Sequence, residues 1–291
     1  MVDSGILPVH MTRKNKRKQQ KTKRPRNQKP VIALTAATAD KHDLYQRSVQ
    51  DAEVTQSFMD EIFASRSDRP AMTLREDFCG TALLCAQWVK SAAGRTAVGI
   101  DLDADTLEWG MINNVRPLKE DSQRVSLLRR DVLEADTKPH FDVIAAFNFS
   151  YFIFHQRRIL LDYFKNARKA LKPGGVFLLD LHGGPDAQFK MEEPTDMGEF
   201  DYIWDQDQFC PITHRTLCHI HFHFRDGSKL QKAFTYDWRL WTMPELRDIL
   251  EESGFRQIDT WFDEDNGNDE YAICETTDNM EAWVGYLAAW K

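Results

Sequence analysis

The sequence contains no CxxC pair, no G-x-G-x-x-G run and no apolar stretch near the roughly 20 residues that cross a bilayer. Each absence excludes something. The five cysteines, at 79, 85, 210, 218 and 274, are odd in number and scattered, which argues against a disulfide framework and for reduced thiols in a reducing compartment. The opening residues MVDSGILPVH lack the basic-then-apolar order of a secretory signal, so a soluble, cytoplasmic protein with no membrane association is expected. A dinucleotide loop needs several glycines after its first strand, because the backbone must come close to a pyrophosphate. Here that ligand is disfavoured.

Acidic residues are almost missing from the first 30 positions, where Asp3 stands alone, while residues 13–29 (RKNKRKQQKTKRPRNQK) hold ten Lys or Arg. The remaining 28 basic and 44 acidic residues give the body a charge of about -16 against about +9 for the tail. So charged and apolar-poor a tail cannot offset its ordering entropy by burial, so residues 1–30 are expected to be disordered. They read as a nucleic-acid tether or nuclear-localisation signal, or as a solubilising arm without a partner. A nuclear location follows only if the source is eukaryotic.

From residue 31 the pattern is globular, and 42% apolar content over this length suits one large domain with additions. Residues 40–66 read as helices with Val54, Phe58, Ile62 and Phe63 on one face. Five strand patterns then alternate with helices: the segment ending at LREDFCG, TAVGID, VSLLRRDVL, FDVIAAFNF and VFLLDL. Leu160, Phe164, Ala167 and Leu171 mark the helix before the fifth. This rhythm implies a doubly wound α/β sheet. After Leu181 it breaks, and two alternating runs around Asp226-Gly227 read as a β-hairpin inserted after the fifth strand, over the carboxyl ends of the sheet. Thr242 to Glu245 reads as a capping box, and RQIDTWF and MEAWVGYLAAW as closing strands.

The turn LREDFCGTALL, residues 74–84, offers one glycine, Gly80, beside two acids, Glu76 and Asp77. Carboxylates repel a pyrophosphate and attract a cation. S-adenosylmethionine carries an ammonium and a sulfonium and no phosphate, so it suits this loop better. Asp101 ends the second strand, where a carboxylate can accept from both ribose hydroxyls, and Asp131-Val132, after the third, offers an acceptor and a backbone N–H for an adenine.

From about residue 40 onward the chain resembles the class I S-adenosylmethionine-dependent methyltransferases. EDFCGTALL resembles the first motif, VGIDLD the second-strand acid, RDVLE the adenine-side motif, FDVIAAFNFSY the fourth-strand motif and LKPGGVFLLDL the fifth strand. The combination of LYQRSVQ, LREDFCGTA, FNFSYF and YDWRLWT further resembles a bacterial-type subgroup. The resemblance implies a Rossmann-like, seven-stranded, mostly parallel sheet with an antiparallel last strand, S-adenosylmethionine as cofactor, and methyl transfer. It places Glu76 as the first acid with Asp77 as the alternative, Gly80 against the methionine part, Asp101 at the ribose and Asp131 at the adenine. Phe78 and Ala82 depart from it, standing where glycines are usual. Tyr45 and Gln50 are candidates for a lid over the cofactor.

On the acceptor side, Asn148-Phe149-Ser150-Tyr151 keeps the ends of the Asn-Pro-Pro-Tyr loop of base-modifying enzymes and lacks both prolines, making Asn148 and Tyr151 acceptor-contact candidates. His182, directly after the fifth strand, is the candidate proton acceptor. His219, His221 and His223 share one strand face, a geometry poor for one metal, so no metal is expected. They read as a polar face lining the acceptor pocket or as the wet side of the hairpin. Trp238, Arg239 and Trp241 read as an aromatic wall with an anion contact. The divisions expected are a tail (1–30), a helical lid (31–70), a cofactor-binding core (71–181), an antiparallel insertion (182–241) and a C-terminal helix with closing strands (242–291). The leading function is methyl transfer to N, O or S of a small-molecule acceptor. The alternatives are an RNA or protein methyltransferase recruited by the tail and a non-catalytic S-adenosylmethionine-binding protein.

Overall fold

A computed structural model describes residues 34–136, 138–263 and 271–291, so the basic tail lies outside the described residues. Two short helices come first, α1 (Lys41–Val49), capped by Asp40, and α2 (Ala52–Ala64), capped by Asp51. The buried side of α2 is Gln56, Met59, Ile62 and Phe63, while Val54, expected on that face, is 47% exposed.

Then β1 (Thr73–Asp77), α3 (Leu83–Ser91), β2 (Thr96–Asp101), α4 (Ala104–Gly110), β3 (Val125–Arg129), β4 (Phe141–Ala146), α5 (Arg157–Ala170) and β5 (Leu171–Gly183) alternate as the periodicity requires. The closing part is α6 (Met243–Glu252), opened by the Thr242–Glu245 capping box, with β10 (Gln257–Asp263), β11 (Tyr271–Ile273) and β12 (Trp283–Trp290). The sheet order is β11-β10-β12-β5-β4-β1-β2-β3, parallel from β5 to β3, with β12 antiparallel between β5 and β10. Seven of these strands are the expected ones. The three-residue β11 adds an eighth at the edge, too short for an alternation pattern to reveal.

The order reverses between β1 and β4, the place where open α/β sheets leave a crevice at their carboxyl ends. On one face pack Met59, Ile62 and Phe63 of α2 with Leu84, Trp88 and Val89 of α3. On the other lie Leu160, Phe164 and Ala167 of α5 with Leu246 and Ile249 of α6.

Between β5 and α6 the expected hairpin exists as β8 (Arg215–Phe224) and β9 (Lys229–Arg239), turned at Gly227 with φ +86°. It belongs to a larger sheet, completed by β6 (Met191–Asp196) and β7 (Phe200–Phe209) in the order β6-β7-β8-β9. Its inner face, with Tyr202, Trp204, Ile220, Phe222 and Trp238, joins the core beneath α1 and the β4 loop. The histidines occupy the outer face. His221 Nε2 lies 3.1 Å from Asp205 Oδ2 and His219 Nδ1 2.9 Å from Thr235 Oγ1, so they do not line a pocket on the core side. Among the described residues no cluster suits a metal ion, and no helix is long and apolar enough to cross a membrane.

Strand alternation decides between the two acids of β1. Leu74 and Glu76 point to one face, Arg75 and Asp77 to the other. Arg75 donates from Nε and Nη2 to the two Asp77 oxygens, both at 2.8 Å, and the Tyr163 hydroxyl adds a third bond at 2.8 Å. All three side chains are buried. Asp77 is therefore a structural anion, which corrects its place among the cofactor-binding candidates. Asp77→Ala would strip the buried guanidinium of its bidentate carboxylate, leaving the 3.4 Å bond from Nη1 to the Asp136 carbonyl, and is expected to cost about 3–5 kcal/mol in urea unfolding. A loss under about 1 kcal/mol would show that Arg75 has another partner.

Candidate functional site

Between β1 and α3 the chain takes positive φ at three alternate residues, Phe78 (+58°), Gly80 (+51°) and Ala82 (+55°). Only the middle one is glycine. Side chains resist this left-handed region at about 1–2 kcal/mol each, so the turn keeps a shape normally given to glycines without having them. The Phe78 ring is anchored beside Phe154 and Tyr163, with centroids 5.9 and 6.0 Å away, and Ala82 is fully buried.

The turn is also tied from outside. Glu76 Oε2 accepts from the Cys85 N–H at 3.1 Å in the first turn of α3, and Asp101 Oδ2 accepts from the Gly80 N–H at 2.8 Å. Gln46 of α1 donates to Thr81 Oγ1 at 2.6 Å, laying the first helix over the turn. Asp101 Oδ1 further accepts from the Asp103 N–H at 3.0 Å, at the N-cap of α4. Asp131 caps a short turn through the Leu133 N–H at 2.9 Å, and Val132 is buried next to it. Leu102, directly after Asp101, is 61% exposed. An apolar side chain held out beside this acid was missed in the sequence, where a single leucine in a turn gives no pattern.

Beyond β4, Asn148 and Phe149 both take left-handed conformations, φ +57° and +56°. Proline is locked near -65°, so a proline at 149 is incompatible with this loop. The likeness of Asn-Phe-Ser-Tyr to Asn-Pro-Pro-Tyr therefore stops at its ends. What holds the loop is Asp180 of β5, whose Oδ2 and Oδ1 accept the Asn148 and Phe149 N–H groups at 2.7 and 2.9 Å. Tyr151 is fully buried, with its hydroxyl donating to the Asp180 carbonyl at 2.7 Å. It is a structural residue, correcting its placement at the acceptor.

Glu76, Asn148 and Asp180 meet in one cleft, with Val49, Gln50, Thr55, Leu84, Phe147 and Tyr286 around them. Burial pushes both carboxyls up, Glu76 to about 7 and Asp180 to about 7. No side-chain cation pairs with either among the described residues. Gln50 Oε1 is buried and lacks a hydrogen-bond partner. Asp101, Asp131 and Val132 stand on the neighbouring strand ends outside this lining, and Tyr45 packs on Phe234, centroids 5.0 Å apart. His182, two residues past Asp180, is 1% exposed against Phe149 and Phe152, its two ring nitrogens without partners. Burial drives its imidazole down to about 4, so it is neutral at pH 7. Trp238 does form a wall against Phe149 and Phe152. Arg239 is committed to Glu245 at 2.9 Å and stacks on Trp241, so the expected anion contact is already taken.

No protein-family model matches the sequence, and no curated protein matches it. Solved structures do. A S-adenosylmethionine-dependent methyltransferase from Clostridium acetobutylicum superposes with a TM-score of 0.66 at 19% identity, covering 85% of this chain and 96% of that one. The CcbJ methyltransferase of Streptomyces caelestis gives 0.65 at 14%, covering 85% and 95%. CalS10 of Micromonospora echinaspora, an amino pentose methyltransferase solved with S-adenosylmethionine bound, gives 0.60 at 12%, covering 85% and 95%. The fold is that of the S-adenosylmethionine-dependent methyltransferases. Within this methyltransferase fold the cleft lies at the switch point between β1 and β4.

The three left-handed residues make a direct test. Ala82→Gly is expected to stabilise by about 0.5–1 kcal/mol, and Gly80→Ala to cost about 1–2 kcal/mol although open space surrounds it, the nearest atom to an added Cβ being 4.0 Å away. Urea unfolding of both variants checks this. A destabilised Ala82→Gly protein would mean that the turn carries no strain at that residue.

Proposed function

We propose that the protein is a S-adenosylmethionine-dependent methyltransferase whose acceptor is a small molecule with a nucleophilic nitrogen, oxygen or sulfur. The observation that carries this reading is Glu76, a buried carboxyl in the cleft, unmatched by a side-chain cation, beside a turn with left-handed residues at 78, 80 and 82. S-adenosylmethionine fits that donor set. Glu76 and the orphaned Gln50 Oε1 would hold its ammonium, Asp101 its ribose hydroxyls, and Asp131 with Val132 its adenine. When bound, the cofactor supplies a methyl group activated by a sulfonium.

The chain's own contribution is alignment and exclusion of water. Asn148, fixed by Asp180, presents its side chain at the end of β4. His182, held neutral with two unpartnered ring nitrogens, would offer a hydrogen bond only where the Phe149 and Phe152 rings that bury it give way. The inserted sheet, packed on the loop after β4 through Trp238, would act as a cover that favours a small acceptor, and solved neighbours described as sugar and glycopeptide N-methyltransferases support the same class. The non-catalytic alternative drew on the missing glycines, and the left-handed φ at Phe78 and Ala82, which keeps the turn's shape without them, supports the catalytic reading. Recruitment of RNA or protein by the basic tail concerns residues that lie outside the described ones.

The raised Glu76 carboxyl gives the test its sign. The neutral form favoured by burial stabilises the free protein below the ordinary value of 4.5, and that contribution is lost as pH rises through about 7. A cation prefers the ionised form, so S-adenosylmethionine should bind roughly tenfold more tightly at pH 8 than at pH 6. Titration calorimetry across this range is the measurement. Glu76→Gln should flatten the dependence and weaken binding by roughly tenfold or more. No detectable binding by the wild-type protein would sink the methyltransferase reading.

A further inference from the structure

Asp180 does more than the proposed cofactor requires. Its carboxylate lines the cleft and accepts from the Asn148 and Phe149 N–H groups, one to each oxygen, and no side-chain donor among the described residues meets it, which leaves acceptor capacity. The groups around it are aromatic. Tyr45 and Tyr286 both feel its charge, and Phe147 and Tyr286 line the cleft with it. Tyr45 is itself hydrogen-bonded to Tyr236 of the inserted sheet. A buried carboxylate with aromatic walls and no side-chain cation is the constellation that binds an ammonium: the carboxylate supplies the charge and the ring faces add cation–π attraction. A neutral alcohol or thiol would leave the charge uncompensated.

Resting on the methyltransferase reading, we infer that the acceptor is an amine bound as its ammonium, with Asp180 as the residue that holds it and takes its proton. An ammonium has no free electron pair, so a proton must leave before nitrogen can act as nucleophile. The N–H bond breaks, its electron pair stays on nitrogen, and an O–H bond forms on Asp180. The burial that lifts this carboxyl to about 7 keeps it able to accept that proton near neutral pH.

Two probes of one shape test the inference on the full-length protein saturated with S-adenosylhomocysteine: benzylamine and benzyl alcohol, read by thermal shift. Benzylamine is expected to raise Tm by about 2 °C or more above benzyl alcohol. In Asp180→Asn that difference should vanish, while the affinity for S-adenosylhomocysteine changes less than about threefold. Equal shifts for the two probes, or no shift with either, overturn the inference, and this wild-type comparison stands even if the variant fails to fold. Loss of S-adenosylhomocysteine affinity in a folded Asp180→Asn protein also overturns it, since Asp180 would then serve the cofactor. Failure of S-adenosylhomocysteine to bind the wild-type protein strikes at the methyltransferase reading instead.

Discussion

Two buried carboxyl groups hold the turns that frame the cleft, and the site depends on them. Glu76 reaches from β1 to the Cys85 N–H at the start of α3, and Asp180 reaches from β5 to two N–H groups of the loop after β4. Glu76 lies near the end of β1, beside the switch point, and Asp180 lies in β5 on the far side of β4, and the backbone donors they meet turn out of the sheet and need partners. A neutral acceptor such as an amide could satisfy those donors at less desolvation cost. Carboxyl groups there leave the cleft with latent negative charge, and burial keeps that charge suppressed near neutrality until a cation enters.

Backbone conformation explains why the motif looks impoverished. Phe78 and Ala82 adopt the dihedrals that glycine takes freely, and Asn148 and Phe149 do the same on the opposite side of the cleft. Four non-glycine residues in this region within one site amount to several kcal/mol of local strain, which only a tightly bonded surrounding can sustain. The bonds that sustain it are visible: Asp101 to Gly80, Gln46 to Thr81, and Asp180 to the β4 loop.

Much of the fold was legible because it rests on periodicity. The five alternating strands, the Leu160–Phe164–Ala167 stripe, the Asp226-Gly227 turn and the Thr242 capping box each follow from local spacing, and each is present. The inserted sheet was legible by half. β8 and β9 alternate strongly around a glycine turn, whereas β6 carries Pro194 among acids and gains its order from pairing with β7, which in turn pairs with β8. At the site, glycine content was a poor guide to a turn whose left-handed residues are mostly not glycine. Asp77 and Glu76 are neighbours in sequence and opposite in role, because a strand sends them to different faces and only the position of Arg75 and Tyr163 shows which is paired. Asp180 was hidden in VFLLDL as one acid in an apolar strand, although a charged residue there is itself a sign of a buried polar task.

The inserted sheet has two faces with separate chemistry, and their separation limits what the site can recognise. The outer face places His219 and His221 beside Asp207 and Asp205, so its charges are met within the sheet. The inner face carries Tyr202, Trp204, Tyr236 and Trp238, with no Lys or Arg directed at the cleft from these strands. The inner rings pack on the aromatic loop after β4, Trp238 against Phe149 and Phe152. The proposed acceptor, an amine, would suit such surroundings, with rings for an apolar body and a buried carboxyl group for a basic nitrogen.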